Sequence, residues 1–252
     1  MRKRVAGDLA RETANGEPLS GLAQIISDDP ELADAYGALY SALRLARPLA
    51  SGNSILVTST EPGEGKTSIS SGLAITASLA GQTALLIDGD LRRSSLTAAV
   101  GGAEPVGLLD VLLGQAEAAD AIRPIRALAD SSRTGAVSFM AGGRRSPISL
   151  GAVDWPKARA AFKSISQGFG IVFLDSPPIL AANDALLFAS IVDAVLLVVS
   201  TGNAKLDGIR RAKEQLEAVG TPIVGVVLNR FEPKIHGRSN QPYRGYYLGS
   251  RT

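Results

Sequence analysis

Short, nearly unbroken apolar runs punctuate the chain: Ile55-Leu56-Val57, Ala84-Leu85-Leu86-Ile87, Ile171-Val172-Phe173-Leu174, Val195-Leu196-Leu197-Val198-Val199 and Ile223-Val224-Gly225-Val226-Val227-Leu228. Runs rich in β-branched residues, without polar alternation, are what strands buried on both faces require. The stretches Lys66 to Ala80, Ala182 to Ala189 and Lys205 to Ala218 between them read as helices. Ahead of the first run, Tyr36, Leu39, Leu43 and Ala46 recur at three- and four-residue steps. That spacing predicts a helix from Glu31 to Ala46, closed by Pro48 and Ser51-Gly52-Asn53. Val137 to Met140 is a candidate further strand. Strand and helix alternate, which predicts an α/β fold: a doubly wound, mostly parallel sheet flanked by helices.

The same pattern sets the domain limits. Residues 1–30 carry turn signals at Asn15-Gly16-Glu17-Pro18 and Asp28-Asp29-Pro30 and read as a flexible lead-in. Residues 31–232 form the expected single domain, and 233–252 read as a flexible, tyrosine-containing tail. A chain of 252 residues accommodates one large α/β domain.

Composition removes several chemistries. The absence of cysteine excludes a thiol nucleophile, a thiolate zinc site and a disulfide framework. His236 stands alone, so a histidine-rich metal site is excluded as well. A net charge of +2 is too small to argue for nucleic acid, and the scarce aromatic residues are not interleaved with arginine as in a single-strand platform, so no nucleic-acid partner is expected. Met1-Arg2-Lys3-Arg4 is not followed by an apolar segment, because Asp8, Arg11, Glu12 and Glu17 interrupt it. No stretch approaches the roughly 20 apolar residues of a membrane-spanning helix. A cytoplasmic protein that reaches a membrane only through a partner is expected.

The chemistry begins at Ser54-Ile55-Leu56-Val57-Thr58-Ser59-Thr60-Glu61-Pro62-Gly63-Glu64-Gly65-Lys66-Thr67-Ser68, where a strand enters a glycine-punctuated loop that opens a helix. Gly63 and Gly65 can take backbone angles that turn consecutive N–H groups inward around phosphate oxygens. The helix beginning near Lys66 adds the positive end of its dipole. Lys66 would reach the β- and γ-phosphates, and the Thr67 hydroxyl would bind Mg²⁺. Pro62, Gly63, Glu64, Gly65, Lys66, Thr67 and Ser68 are the expected nucleotide contacts. The strict phosphate-loop pattern has glycine where this chain has Thr60. The bland alternative is an ordinary glycine turn before a helix.

Two other strands end in acid. Ala84-Leu85-Leu86-Ile87 leads into Asp88-Gly89-Asp90-Leu91-Arg92-Arg93, and Ile171-Val172-Phe173-Leu174 into Asp175-Ser176-Pro177-Pro178. Ligands of open parallel sheets lie beyond the carboxyl ends of the strands, so Asp88, Asp90 and Asp175 are placed to converge on Lys66. Mg²⁺ takes oxygen ligands and keeps several waters, so a hydroxyl plus carboxylates acting through water suffices. Asp175 is the expected distal metal-water ligand. A strand-end aspartate also often caps a helix or solvates a turn.

With these motifs in hand, residues 31–232 resemble the cytoplasmic P-loop domain of the bacterial protein-tyrosine kinases of capsule and exopolysaccharide production. The resemblance rests on Ser59-x-x-Pro62-Gly63-x-Gly65-Lys66-Thr67, Leu86-Ile87-Asp88-x-Asp90-x-Arg92 and Phe173-Leu174-Asp175-x-Pro177-Pro178. Gly107-Leu108-Leu109-Asp110-Val111-Leu112 and Gly225-Val226-Val227-Leu228-Asn229-Arg230 support it. It implies transfer of the γ-phosphoryl group of ATP to tail tyrosines of a neighbouring subunit, with Mg²⁺ as cofactor. Carried over, Lys66 stabilises the phosphates, and Thr67, Asp90 and Asp175 serve the metal. Asp88 orients or deprotonates the incoming phenol. Arg92 supports the acidic pair or the transferred phosphate, with a structural ion pair as its alternative. Asn229 contacts the base or simply caps the following turn. Tyr243, Tyr246 and Tyr247 are the candidate phosphosites, unless they are incidental to the tail.

The implied partners are a separate transmembrane chain-length regulator as activator, a cognate tyrosine phosphatase, and neighbouring copies engaged through their tails. Ring-forming members carry Glu-x-x-Arg-x-x-Arg on the first helix; here Asp34, Gly37 and Tyr40 occupy those positions, so a ring built on charge pairs is not expected. Two rival functions remain: a nucleotide-binding regulator of the same pathway with weak kinase activity, and a partition- or division-type dimerising ATPase. The latter carry an extra lysine early in the loop, where this chain has Glu61.

Overall fold

The computed structural model describes residues 18–46, 53–101, 105–125, 135–143, 150–201 and 205–231. Each predicted apolar run forms a strand. They are β1 (Ser54–Ser59), β2 (Thr83–Asp88), β5 (Ile171–Asp175), β6 (Ala194–Ser200) and β7 (Ile223–Asn229). The candidate strand is present as β4 (Ala136–Met140), and a three-residue β3 (Ile122–Pro124) joins it. The sheet order is β3-β4-β2-β5-β1-β6-β7, parallel throughout except for the antiparallel β3–β4 edge. The short edge strand follows no apolar run, so periodicity alone does not predict it.

Alternation along the central strands divides the core. Ile55, Val57, Leu86, Phe173 and Val198 face one layer, and Leu56, Leu85, Ile87, Val172 and Leu174 face the other. All ten are fully or almost fully buried, as strands covered on both faces must be.

The first layer is built from α1 (Pro18–Asp28), α2 (Pro30–Leu45) and α3 (Lys66–Leu79). Helix α1 corrects the expected lead-in, which extends to residue 30. Leu19, Leu22 and Ile26 lie on one helical face and are buried against the core. Their three- and four-residue spacing carries more weight than the turn residues on either side. Asp29 then starts α2, its side chain accepting from Leu32 N at 3.2 Å, with Pro30 at the first helical position.

The short helix α4 (Ser95–Ala99) joins this first layer through Leu96, and the opposite layer contains the short helices α5 (Leu108–Leu112) and α6 (Ala118–Ala121), then α7 (Trp155–Gln167), α8 (Asp184–Ala189) and α9 (Leu206–Val219). Helix α7 is absent from the sequence-based expectation. Asp154 caps it through Lys157 N at 3.2 Å, and Ala158, Phe162 and Ile165 supply its buried stripe. No described helix is long and apolar enough to cross a membrane. The expected tail, with Tyr243, Tyr246 and Tyr247, lies outside the described residues, as do His236 and residues 1–17.

Candidate active site

The strand order decides where chemistry can occur. With β2, β5 and β1 adjacent, three strand ends meet at one edge of the sheet: Asp88 pairs in register with Asp175, and Asp175 with Val57. Residues far apart in sequence are thereby neighbours.

Beyond β1 the chain turns through Thr60 to Gly65 into α3. Gly63 (φ 80°) and Gly65 (φ 94°) adopt left-handed backbone conformations that other residues reach only with strain. No side chain caps α3, so its first N–H groups are not taken up by an N-cap side chain. Pro62 and Gly63 are exposed at the loop's tip. Gly65 has a second constraint. A Cβ there would lie 2.1 Å from Asn229 Nδ2, an impossible contact.

Asn229 is committed at both ends of its amide. Nδ2 donates to the carbonyl of Glu64 at 2.8 Å, and Oδ1 accepts from Arg230 N at 2.9 Å. It thus caps the turn that follows and braces the loop. Glu64 is among the expected nucleotide contacts as part of the loop; its carboxylate is 98% buried and bonded within the protein to Thr60, Glu61 and Ser200.

Lys66 Nζ lies 3.6 Å from Asp90 Oδ2, with only 12% of its side chain exposed. The Thr67 hydroxyl donates to Asp175 Oδ2 at 2.7 Å. Asp175 is fully buried, and its other oxygen, Oδ1, has no hydrogen-bond partner. A buried acceptor without a donor is costly and calls for a further ligand. Burial pushes the Asp175 carboxyl up to about 7; Lys66 and Thr67 pull it down, while Asp88 and Asp90 push it up. A metal-bound water donating to Oδ1 would relieve both the orphaned acceptor and the charge. The residues present therefore fit Mg²⁺, with Thr67 as direct ligand and Asp175 as outer carboxylate. Among the described residues no three His, Asp or Glu side chains form a metal cage, and a Mg²⁺ ion held here would keep waters in its shell.

Asp88, the last residue of β2, and Asp90 have different partners. Asp88 is fully buried and its oxygens accept from Asp90 N (3.1 Å), Thr97 N (2.7 Å) and Thr97 Oγ1 (2.6 Å). Burial raises its pKa against the pull of those bonds. Through these bonds it braces the turn that carries Asp90. Asp90 instead faces Lys66, with Oδ1 accepting from Arg93 N at 3.2 Å. Arg92 makes the structural ion pair, Nε to Asp184 Oδ2 at 3.0 Å and Nη2 to Oδ1 at 3.3 Å, on a largely exposed side chain.

Some participants carry no motif. Thr97 sits nine residues beyond Asp88 in α4. Tyr36, legible only as part of an apolar stripe, donates its hydroxyl to the carbonyl of Ser68 at 3.0 Å and so anchors the first turn of α3.

Residues 55–244 match the CobQ/CobB/MinD/ParA nucleotide binding domain family. Tyrosine-protein kinase CpsD of Streptococcus pneumoniae is 32% identical over 183 residues, covering 72% of this chain and 78% of CpsD. EpsB of Ralstonia solanacearum is 30% identical over 217 residues, 85% of this chain, of which the chain spans only 28% of the length. Among solved structures, the kinase domain of the Escherichia coli tyrosine kinase ETK superposes with a TM-score of 0.64 at 25% identity, covering 73% of this chain and 71% of that domain. The matched span, the likeness to CpsD and the shared site-bearing fold place the chain in the bacterial tyrosine-protein kinase family built on the CobQ/CobB/MinD/ParA nucleotide binding domain.

Proposed function

We propose that this chain is an ATP- and Mg²⁺-dependent protein-tyrosine autokinase that regulates exopolysaccharide or capsule synthesis and export. One observation carries the reading. Around a loop with two left-handed glycines, Lys66 meets Asp90 and Thr67 meets an Asp175 whose second oxygen lacks a donor. Kinase activity is inferred from CpsD and the ETK domain, which are named tyrosine kinases, and the pathway from the family resemblance of the three motifs.

In the proposed mechanism Lys66 leaves Asp90 for the β- and γ-phosphates, and the N–H groups at the start of α3 bind phosphate oxygens. Mg²⁺, when bound, supplies charge neutralisation across those phosphates. Thr67 and Asp175 would hold it. Asp90, released by Lys66, would be the carboxylate left for the incoming phenol or for the metal. Phosphoryl transfer needs positioning and charge compensation more than covalent help, and these residues supply both. Asp90→Asn separates its roles: a kcat loss at unchanged Mg²⁺ affinity assigns it to the phenol, and a loss of Mg²⁺ affinity assigns it to the metal.

The tyrosines phosphorylated are proposed to be Tyr243, Tyr246 and Tyr247, presented by a neighbouring copy. The activator is proposed to be a membrane-bound chain-length regulator. Incubation with Mg-ATP, with and without that regulator's cytoplasmic ends, followed by mass spectrometry, locates the phosphotyrosine. Unchanged phosphotyrosine in Lys66→Met would overturn the assignment.

A weakly active, nucleotide-binding regulator is the second reading. It is favoured by the face of α2 where Asp34 is exposed, Gly37 has no side chain and Tyr40 is 93% buried. Deleting residues 241–252 separates the two. The kinase loses phosphotyrosine and keeps ATP turnover, whereas the regulator shows no phosphotyrosine before or after the deletion.

A further inference from the structure

A glycine at the first position of a phosphate loop is usual, and Thr60 stands there. Backbone strain does not follow. Among the described residues only Ser94 and Arg230 are non-glycine residues with positive φ, so Thr60 sits in an ordinary conformation. What distinguishes the position is its side chain. Thr60 is 99% buried, and its hydroxyl donates to Glu64 Oε2 at 2.7 Å. The same oxygen accepts from Glu61 N at 2.8 Å, and Oε1 accepts from Ser200 N, the last residue of β6, at 3.0 Å. The carbonyl of Glu64 is gripped by Asn229, the last residue of β7.

One carboxylate therefore joins the entrance of the loop (Thr60, Glu61) to its exit (Gly65) and to the end of a neighbouring strand. A carboxylate is suited to this task because it only accepts, and all three of its partners donate to it. The loop between these anchors contains the two left-handed glycines, which by themselves give it freedom rather than shape.

We propose that Thr60 and Glu64 form a strut that holds the loop in its phosphate-accepting shape before nucleotide arrives. Glu64 is a positioning residue, acting on the backbone around Gly63 and Gly65, not a ligand contact. The inference rests on the nucleotide-binding reading above and deepens it. Preorganisation of this kind is expressed in affinity, because the ordering is complete before binding. Removing the carboxylate leaves the N–H groups of Glu61 and Ser200 without their acceptor. The Glu64→Gln substitution would turn an NH₂ group toward one of these donors.

The test is Mg-ADP affinity by titration calorimetry on the full chain, with thermal melting in parallel. Wild type is compared with Glu64→Ala, Glu64→Gln, Thr60→Ala and the Thr60→Ala/Glu64→Ala double variant. Glu64→Ala and Glu64→Gln are expected to bind about 10- to 100-fold more weakly, the scale of one or two unsatisfied buried donors. Thr60→Ala should lose less, and the double variant should match Glu64→Ala because the two side chains act as one unit. At saturating nucleotide, kcat should stay within a few-fold of wild type while KM for ATP rises. Should Glu64→Ala fail to fold, the isosteric Glu64→Gln carries the comparison. Glu64 variants that melt lower yet bind Mg-ADP as wild type does overturn the strut, since a merely stabilising side chain behaves that way. Additive losses in the double variant also overturn it. A wild-type chain that does not bind Mg-ADP overturns the nucleotide reading, and the strut with it.

Discussion

At the scale of single residues, the site is a group of buried carboxylates that the protein satisfies unequally: Asp90 meets Lys66, Asp88 meets three donors, and Asp175 keeps one oxygen without a donor. Asp175 is the clearest case. Its pKa stands at about 7 in the folded, nucleotide-free chain against 3.8 for an ordinary aspartate, with burial as the main cause. The folded state therefore binds a proton more tightly than the unfolded state between these values. Stability from this group is fully present below about pH 4 and is lost as pH rises through about 7. Asp88 is shifted in the same direction. The melting temperature of the nucleotide-free chain should fall as pH rises across this window, and Asp175→Asn should flatten the slope. Mg-nucleotide reverses the preference, so binding below pH 7 should release a proton, seen as buffer-dependent heat in calorimetry. Proton release that is the same in Asp175→Asn would show that another group titrates. Thr97 offers a structural counterpart. Thr97→Val removes one of the bonds to Asp88 and should destabilise the chain by about 1–3 kcal/mol in urea unfolding. The aspartates were legible because each ends an apolar run. Thr97 was not, because a lone threonine in a five-residue helix has no pattern of its own, and the bracing of Asp88 depends on it.

At the scale of elements, the sequence was most readable where burial on both faces leaves no polar alternation. That is why the central strands stand out as runs, while β3, three residues at the edge, does not. Helix α7 failed to stand out for a different reason: its stripe is only Ala158, Phe162 and Ile165 among charged and small residues. The loop between β1 and α3 was legible as glycines, but the two glycines are not equivalent. Gly63 has φ 80° and open space around its missing Cβ, whereas Gly65 has φ 94° and Asn229 Nδ2 at 2.1 Å. Gly63→Ala should incur only the left-handed strain, about 1–2 kcal/mol. Gly65→Ala adds a collision that must either displace Asn229 from the Glu64 carbonyl or open the turn. Its Mg-ADP affinity should fall at least about 10-fold further than that of Gly63→Ala. Equal losses in the two variants would mean that the Asn229 brace does not shape the loop.

At the scale of the whole molecule, the site exists because the strand order β2-β5-β1 brings together segments that the sequence separates widely. Motif and fold class were readable in advance, since a parallel sheet obliges ligands to its carboxyl edge. What lies behind the site was not. The first layer begins with α1, which turn signals at Asn15 to Pro18 and Asp28 to Pro30 assign to a lead-in, yet Leu22 and Ile26 are 99% buried. From α1 a continuous path of contacts reaches the nucleotide loop: α1 packs on α2 and α3, and Tyr36 of α2 bonds to Ser68 in the first turn of α3. Gly72, one turn further along α3, leaves room for the Tyr36 ring, since a Cβ there would lie 2.3 Å from it. If α1 is a working part of this layer, Leu22→Ala should destabilise the chain by about 2–5 kcal/mol, as for other fully buried leucines. A true lead-in would make the same substitution nearly silent. Tyr36→Phe keeps the packing and removes only the bond to Ser68, so it should lower stability by about 1 kcal/mol. Paired chemical unfolding of the two variants, with and without Mg-ADP, tests the path. A Leu22→Ala variant within about 0.5 kcal/mol of wild type would return residues 18–28 to the lead-in and detach this layer from the site.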